Sequence, residues 1–441
     1  MSRISKRYFQ YVIPAVLSFA LSGIYTIVDG YFIGNRMGDV GIAAITLGYP
    51  VTAFVQAMGT GIGLAGAIRY TILKARGQQE EAERCLGGTV LLMLLGCALV
   101  MGLVLWGLYP LLALLGAKGA VTEPAAEYVR CIVWGTVFQV LGTGLVPFIR
   151  NRGGAGFAMV TMFCGFVGNV LFDWLLVWHI PCGMAGAAWA SVLGQAMTAI
   201  MALLWLWVKR AVFRLPEARQ LPAFCGQILR VGAAPFGLVL SPNITLLLMN
   251  RFLLLYGDEQ ALAVYGCIGY VACIVQLLLQ GVGDGCQPLI SRFYGQGDQK
   301  SMLHTRRLAY YTSFLVAGAY MLAAFLTGDH IGSLFGTSAQ TNGAVARILP
   351  WFLLAMPCEA YTSTGTAYLY ATEKSTLSYL LVYAEPLLVL MLLCTLGPLL
   401  GLSGVWASNP LARLLAALLA GMVKLWDDRR SLKPEGEAEN G

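Results

Sequence analysis

The chain has 441 residues, of which 58% are hydrophobic and 12% charged, and its mean hydropathy is +0.70. Soluble domains run at about 45–50% apolar and about 25% charged, so this chain cannot cover its own core with polar surface and is an integral membrane protein. The formal charge of +7 would suggest nucleic acid in a soluble protein, but here Lys and Arg sit in the gaps between apolar runs, a pattern of membrane topology.

In chain order the apolar runs supply twelve stretches of the about 20 helical residues that a bilayer core requires: 9–34, 44–73, 86–115, 125–148, 155–180, 183–208, 228–256, 262–291, 308–328, 344–371, 376–399 and 402–424. The first is too long for a cleaved signal peptide and lacks a small-residue cleavage site. The runs are continuous, whereas strands of a membrane barrel alternate over about ten residues. Only a few residues join 180 to 183 and 399 to 402, which predicts tight hairpins.

An even number of spans puts both ends on one side. Twenty-three of the 29 Lys and Arg fall on one set of ends and loops, five (Arg36, Lys118, Arg130, Arg251 and Arg347) on the other, and Arg413 lies inside a helix. The positive-inside rule therefore predicts cytoplasmic termini. The cysteines lie mostly within the runs, with no CxxC pair and no His at ligand spacing, and read as small hydrophobes.

The chain repeats itself. At an offset of 221, Pro14 falls on Pro235, Gly48-Tyr49 on Gly269-Tyr270 and Asp29 on Asn250; at 220, Gly61, Gly63 and Gly77 fall on Gly281, Gly283 and Gly297. The predicted organisation is an N-lobe of helices 1–6 (1–208), a cytoplasmic linker (209–227), a C-lobe of helices 7–12 (228–424) and a polar tail (425–441). Parallel six-helix repeats belong to alternating-access transporters. The GxGxxG at Gly61–Gly66 lies inside a membrane run with no preceding strand, so it reads as close helix packing and not as a nucleotide fingerprint.

Ionisable residues within spans are the functional candidates, because each costs a few kcal/mol. Counted at 1.5 Å per residue from the outer helix ends, Asp29, Asp173 and Ser191 lie about 8, 11 and 12 Å deep. Asn169, four residues before Asp173, shares its helix face. Two carboxylates with amide and hydroxyl oxygens suit a cation such as Na⁺, held by Asp29, Asn169 and Asp173, and two like charges so placed also favour taking up a proton. In the second half Asn250 stands at the equivalent of Asp29. Glu359 lies about mid-span, Asp284 nearer the cytoplasmic side, and Glu385 and Arg413 differ in depth by only about 5 Å, close enough to pair.

These residues together resemble the multidrug and toxic compound extrusion (MATE) family, in its DinF/MepA-like bacterial branch. The marks are Asp29-Gly30 with Phe32-Ile33-Gly34; Arg69-Tyr70 through Gly77; Asn169-x-x-x-Asp173 followed by Gly183-x-x-Gly186-Ala187-Ala188-x-Ala190-Ser191 and Gln195; Gly281-x-x-x-Gly285-x-Gln287-Pro288 with Gly295; and Gly401-x-x-Gly404-Val405-Trp406. The resemblance implies an all-α polytopic fold of twelve transmembrane helices in two pseudo-symmetric six-helix lobes, a V-shaped bundle around a central cavity. It implies secondary active efflux of organic cations and other drugs, in antiport against H⁺ or Na⁺. It assigns ion coupling to Asp29, Asn169, Asp173 and Ser191, the last replacing the usual Thr. Gln195, Asn250, Asp284, Gln287, Glu359, Glu385 and Arg413 are candidates for the substrate cavity or a gate, with aromatic faces such as Tyr25, Tyr49, Phe54, Trp134, Phe138, Tyr270, Tyr361 and Tyr368.

The expected partners are lipophilic organic cations or other small molecules and the lipid bilayer, without nucleic acid. The chain is expected to act as a monomer in the cell membrane, with no cofactor besides the coupling ion. A flippase or exporter of a lipid-linked precursor or endogenous metabolite is the alternative; it would call for a cavity rich in Arg or Lys, whereas Arg413 is the only cation read as deep. An intramembrane enzyme is disfavoured because His179, His304 and His330 lie at helix ends, away from a plausible Ser or Cys partner.

Overall fold

A computed structural model describes residues 3–328 and 339–431, with side chains throughout except at 24–27, 29–31, 34, 39, 339, 430 and 431. Among the described residues the regular structure is helical throughout. We number the helices α1 (Arg3–Ala75), α2 (Gln79–Trp106), α3 (Leu108–Leu114), α4 (Thr122–Trp134), α5 (Thr136–Asn151), α6 (Ala155–Asp173), α7 (Gly183–Val208), α8 (Leu221–Tyr256), α9 (Glu259–Gly295), α10 (Gln299–Leu326), α11 (Ala339–Leu354), α12 (Met356–Ala371), α13 (Ser375–Leu400) and α14 (Leu402–Ser431). A six-residue π turn, Trp174–His179, continues α6.

Nine helices among the described residues are long and apolar enough to cross a membrane, and two bent pairs bring the number to eleven. The remaining stretch, 9–34, is the part of α1 before Gly38, where φ 62 and ψ −154 break the helix in a conformation open to glycine alone. The spans are less uniform than the apolar runs suggest. The stretch 86–115 is two helices separated at Gly107, 125–148 bends by 53° between α4 and α5, and 344–371 bends by 41° between α11 and α12. Hydropathy averages over such breaks because a one-residue interruption leaves the apolar content unchanged.

The repeat is written into the backbone as well as the sequence. Gly77 and Gly297 both take positive φ (84 and 71), and each turn closes with the same bonds, Gln78 N to Leu73 O and Asp298 N to Phe293 O, at 3.0 Å. The α4/α5 bend at Gly135 and the α11/α12 bend at Ala355 are also 220 residues apart, as are Gly153 (φ 94) and Glu373 (φ 55). Asp298 caps α10 by accepting from Ser301 N at 3.0 Å, and the Ser301 hydrogen bonds, side chain first, hold its carboxyl below the ordinary range.

The chain forms two compact units. The first comprises Met1–Leu240, Gln280–Thr305 and Tyr370–Glu373, the second Ser241–Leu279, Arg306–Leu369 and Lys374–Gly441. In the first, small residues let α1 serve as the central post. A Cβ on Gly63 would collide with the Gly144 backbone of α5, one on Gly66 with Thr89 of α2, and one on Gly61 would stand 2.9 Å from Gly232 O of α8. The glycine run is therefore a set of close helix approaches, as its spacing predicts. The second unit has its own apolar core, with Val264, Ile268 and Val275 of α9 against Phe352, Met356, Val389, Leu393 and Val405.

Since Gly63 meets backbone rather than a flexible side chain, Gly63→Val should force α1 from α5 and cost about 1–3 kcal/mol or more. Gly102→Val, which meets nothing within 4 Å, should be nearly neutral. Thermal unfolding of the two variants in detergent compares them directly; equal melting temperatures would contradict the packing account.

Candidate functional site

The first cluster is built where α6 passes into its π turn, a distortion frequent at functional sites. Asn169 and Asp173 lie one helical turn apart on α6 and are buried, Asp173 completely. Helix α7 comes close because Gly194 leaves room: a Cβ there would stand 2.8 Å from the Asn169 Cβ and from Gly165 O. In the amide orientation that satisfies both ends, the Asn169 nitrogen donates to Asp173 Oδ2 at 3.1 Å while its oxygen accepts from the Ser191 N–H at 3.2 Å. Gln195, one turn beyond Ser191, faces α5, its Oε1 3.2 Å from where a Gly142 Cβ would be. Three of the four predicted coupling residues thus share one contact network. The side chains of Asp29 and Tyr25 lie outside the described residues.

A second cluster, also in the first unit, gathers α5, α9 and α12. Arg150 Nη2 lies 3.3 Å from Asp284 Oδ2, both side chains only 6% exposed, and Tyr370 donates its hydroxyl to Asp284 Oδ1 at 3.4 Å. Gln287 donates to Ser291 Oγ (2.9 Å), which donates to Ala371 O (2.8 Å). Nearby, Arg69 of α1 pairs with Glu373 at 3.2 Å. Asp284 and Gln287 therefore hold helices together here. Arg150 corrects the sequence reading, which counts it with the loop cations: its place at the end of α5 hides that its side chain turns inward, so Arg413 is not the only deep cation.

The third cluster belongs to the second unit. Arg413 of α14 reaches Glu359 Oε2 with Nη1 at 2.6 Å and Glu385 Oε1 with Nε at 3.3 Å. The expected Glu385–Arg413 pair is present, but the shorter contact is with Glu359, and two carboxylates on one guanidinium carry net charge −1 when both are ionised. Asn250 is half-buried on α8.

The aromatic candidates divide. Tyr49, Phe54, Trp134, Phe138 and Tyr270 are 40–58% exposed, and Phe54 meets Phe236 edge-on at 5.6 Å. Tyr361 is half-buried beside Tyr310 at 5.2 Å. Tyr368 is buried, with Arg306 and Lys374 over its ring at 4.6 and 5.5 Å, so its face is already occupied.

Repeated apolar helices with buried charge clusters on several of them define a polytopic all-α membrane protein. The chain belongs to the MatE family, whose profile matches residues 14–175 and 238–396. It is 22% identical over 424 residues to the "Multidrug export protein MepA" of Staphylococcus saprophyticus, covering 96% of this chain and 94% of that one. It is 24% identical over 431 residues to the protein of the same name from Staphylococcus haemolyticus, covering 95% and 93%. Among solved structures, an outward-facing MATE family transporter of the MOP superfamily matches with a TM-score of 0.87 at 22% identity, over 97% of this chain and 96% of that one. A MOP superfamily transporter from Pyrococcus furiosus, described as having a binding pocket of reverse polarity, matches with a TM-score of 0.89 at 22% identity over the same shares. The all-α fold, with nine to eleven candidate spans among the described residues, is thus that of MATE transporters.

Removing one partner of a buried ion pair leaves the other charge uncompensated and costs about 3–5 kcal/mol. Arg413→Leu should therefore lower the melting temperature far more than Glu385→Gln, and adding Glu359→Gln and Glu385→Gln to Arg413→Leu should recover part of the loss. An Arg413→Leu protein as stable as wild type would contradict the triad.

Proposed function

We propose that the chain is a secondary active exporter of small molecules, lipophilic organic cations among them, working by alternating access in the cell membrane with both termini cytoplasmic and driven by antiport of H⁺ or Na⁺. The observation that carries this reading is the completely buried Asp173 in its network with Asn169 and Ser191. An ionisable group at that depth in a span is costly to retain without a use. Family membership and the multidrug export names of relatives support it.

In this reading, uptake of a proton or Na⁺ at Asp173, with Asp29 contributing from α1, neutralises the buried charge and lowers the cost of the other conformation. Oxygens of Asn169 and Ser191 suit either ion. The contacts Arg150–Asp284 and Arg69–Glu373 hold α1 and α5 to α9 and α12 in one state and separate in the other. An organic cation then binds on aromatic faces and exposed carboxylates, and the next coupling ion displaces it.

Ethidium efflux from proteoliposomes under an imposed proton gradient, and then a sodium gradient, tests the proposal. Wild type should move the dye under one gradient and Asp173→Asn should lose nearly all gradient-driven efflux. No dye movement under either gradient would sink the drug-export reading; equal transport by the variant would sink the Asp173 site.

The closing contacts have their own readout. Cys286 is fully buried on α9, two residues from Asp284. With Cys286 as the sole cysteine, Glu373→Gln should speed its labelling by a membrane-impermeant maleimide several-fold. An unchanged rate would separate the Arg69–Glu373 pair from gating.

A further inference from the structure

The first unit contains a cavity of about 380 Å³ apart from the carboxylate clusters. Lys74 near the end of α1, Lys209 just after α7, and the α5–α6 turn of Arg152, Gly153 and Gly154 line it, with Trp205 as its apolar wall. The lining holds three cations and no carboxylate. Of the three acids that follow Lys74 in the chain, Glu80 and Glu83 are engaged on Arg214 at 2.9 and 3.3 Å, and Glu81 is exposed on α2 and does not line the cavity.

Arg152 is held in place beside the two lysines. Arg152 Nη1 donates to Tyr70 Oη at 2.6 Å and Nη2 to Lys209 O at 3.2 Å. The Tyr70 ring lies 5.7 Å from Lys74 Nζ and 5.7 Å from the Arg152 guanidinium, where its face stabilises positive charge. Trp205 is fixed by stacking on Phe157 at 6.1 Å and by Gly154, where a Cβ would stand 2.5 Å from the indole.

The level of the cavity identifies its ligand. Its residues sit at the margins of the spans Val40–Ala75, Ala155–His179 and Gly183–Val208, the height of lipid headgroups. Beside it Leu204, Trp207 and Val208 are 53%, 76% and 65% exposed, an apolar face for acyl chains. This is also the side on which most Lys and Arg of the chain fall, and the leaflet facing such a side is the anionic one.

We propose that this cavity binds the phosphate of an anionic phospholipid headgroup, with Lys74, Arg152 and Lys209 meeting the anion and Trp205 the glycerol and first methylenes. The proposal rests on the membrane reading and not on export, so its test is a binding experiment. Full-length protein in detergent is offered phosphatidylglycerol or phosphatidylcholine of equal chain length, and retained lipid is counted by native mass spectrometry, with and without millimolar inorganic phosphate. Lys74→Gln/Lys209→Gln removes two exposed cations from the cavity; Arg76→Gln/Arg219→Gln removes two exposed cations outside it.

Wild type should retain phosphatidylglycerol in preference to phosphatidylcholine, with inorganic phosphate displacing little of it. Each Lys beside an anionic headgroup contributes a factor of about five, so the cavity variant should lose retention roughly tenfold or more while the control variant keeps it. Equal loss in both variants, or equal retention of phosphatidylcholine, overturns the site. Full displacement by inorganic phosphate overturns the lipid as its ligand.

Discussion

A charge that enters a membrane span must be met inside the protein, because the surrounding hydrocarbon offers neither water nor counterion. That constraint explains which helices are committed to which. Asp284 ties α9 to α5 through Arg150 and to α12 through Tyr370. Arg413 ties α14 to α12 through Glu359 and to α13 through Glu385. Apolar packing is weakly selective between helices in lipid, where a neighbouring helix and an acyl chain are equally oily. Polar contacts such as these, with the glycine approaches of α1, give the bundle its specific neighbours.

The 220-residue repeat shows how two copies of one plan come to do different work. Gly153 and Glu373 occupy equivalent turns, each closed by the equivalent bond, Gly153 N to Arg150 O in one and Glu373 N to Tyr370 O in the other. Gly153 takes its positive φ freely, whereas a Cβ-bearing residue in that region costs about 1–2 kcal/mol. Glu373 accepts that strain at φ 55 and in return presents a carboxylate to Arg69. One copy of the turn opens onto a cationic cavity; the other makes an ion pair. Arg150 and Tyr370 fall on one another at the same offset, and both reach Asp284.

Much of this was legible in the residues. A polytopic helical fold followed from length and hydropathy, and the grouping of Asn169, Asp173 and Ser191 followed from i,i+4 spacing and equal depth, because those arguments need only straight helices. Where helices break, the arithmetic fails. Glu359 lies four residues past the 41° bend at Ala355, so distance along the chain gives its position poorly and its contact with Arg413 could not be counted out. Arg150 was hidden for another reason: composition places a cation at a helix end in the loop, and only the packing of α9 and α12 around it turns the guanidinium inward. The offset that aligns Arg150 with Tyr370 was the available signal.

The two carboxylate sites differ in what they can exchange. In the triad the guanidinium stays charged at any accessible pH, and it sits 2.6 Å from Glu359. A metal cation approaching that carboxylate meets a fixed positive charge already in contact, while a proton can neutralise the remaining net charge of −1 with little displacement. The Asp173 network brings the neutral oxygens of Asn169 and Ser191 instead, which can turn toward a bound ion without opposing its charge. Within the export reading proposed above, the Asp173 network is therefore the cluster whose neighbours do not oppose a bound cation, whereas the triad already holds a fixed cation of its own. Coupling-ion identity would then be set by how much room α6 and α7 leave around Asp173, a spacing fixed by the missing side chain at Gly194.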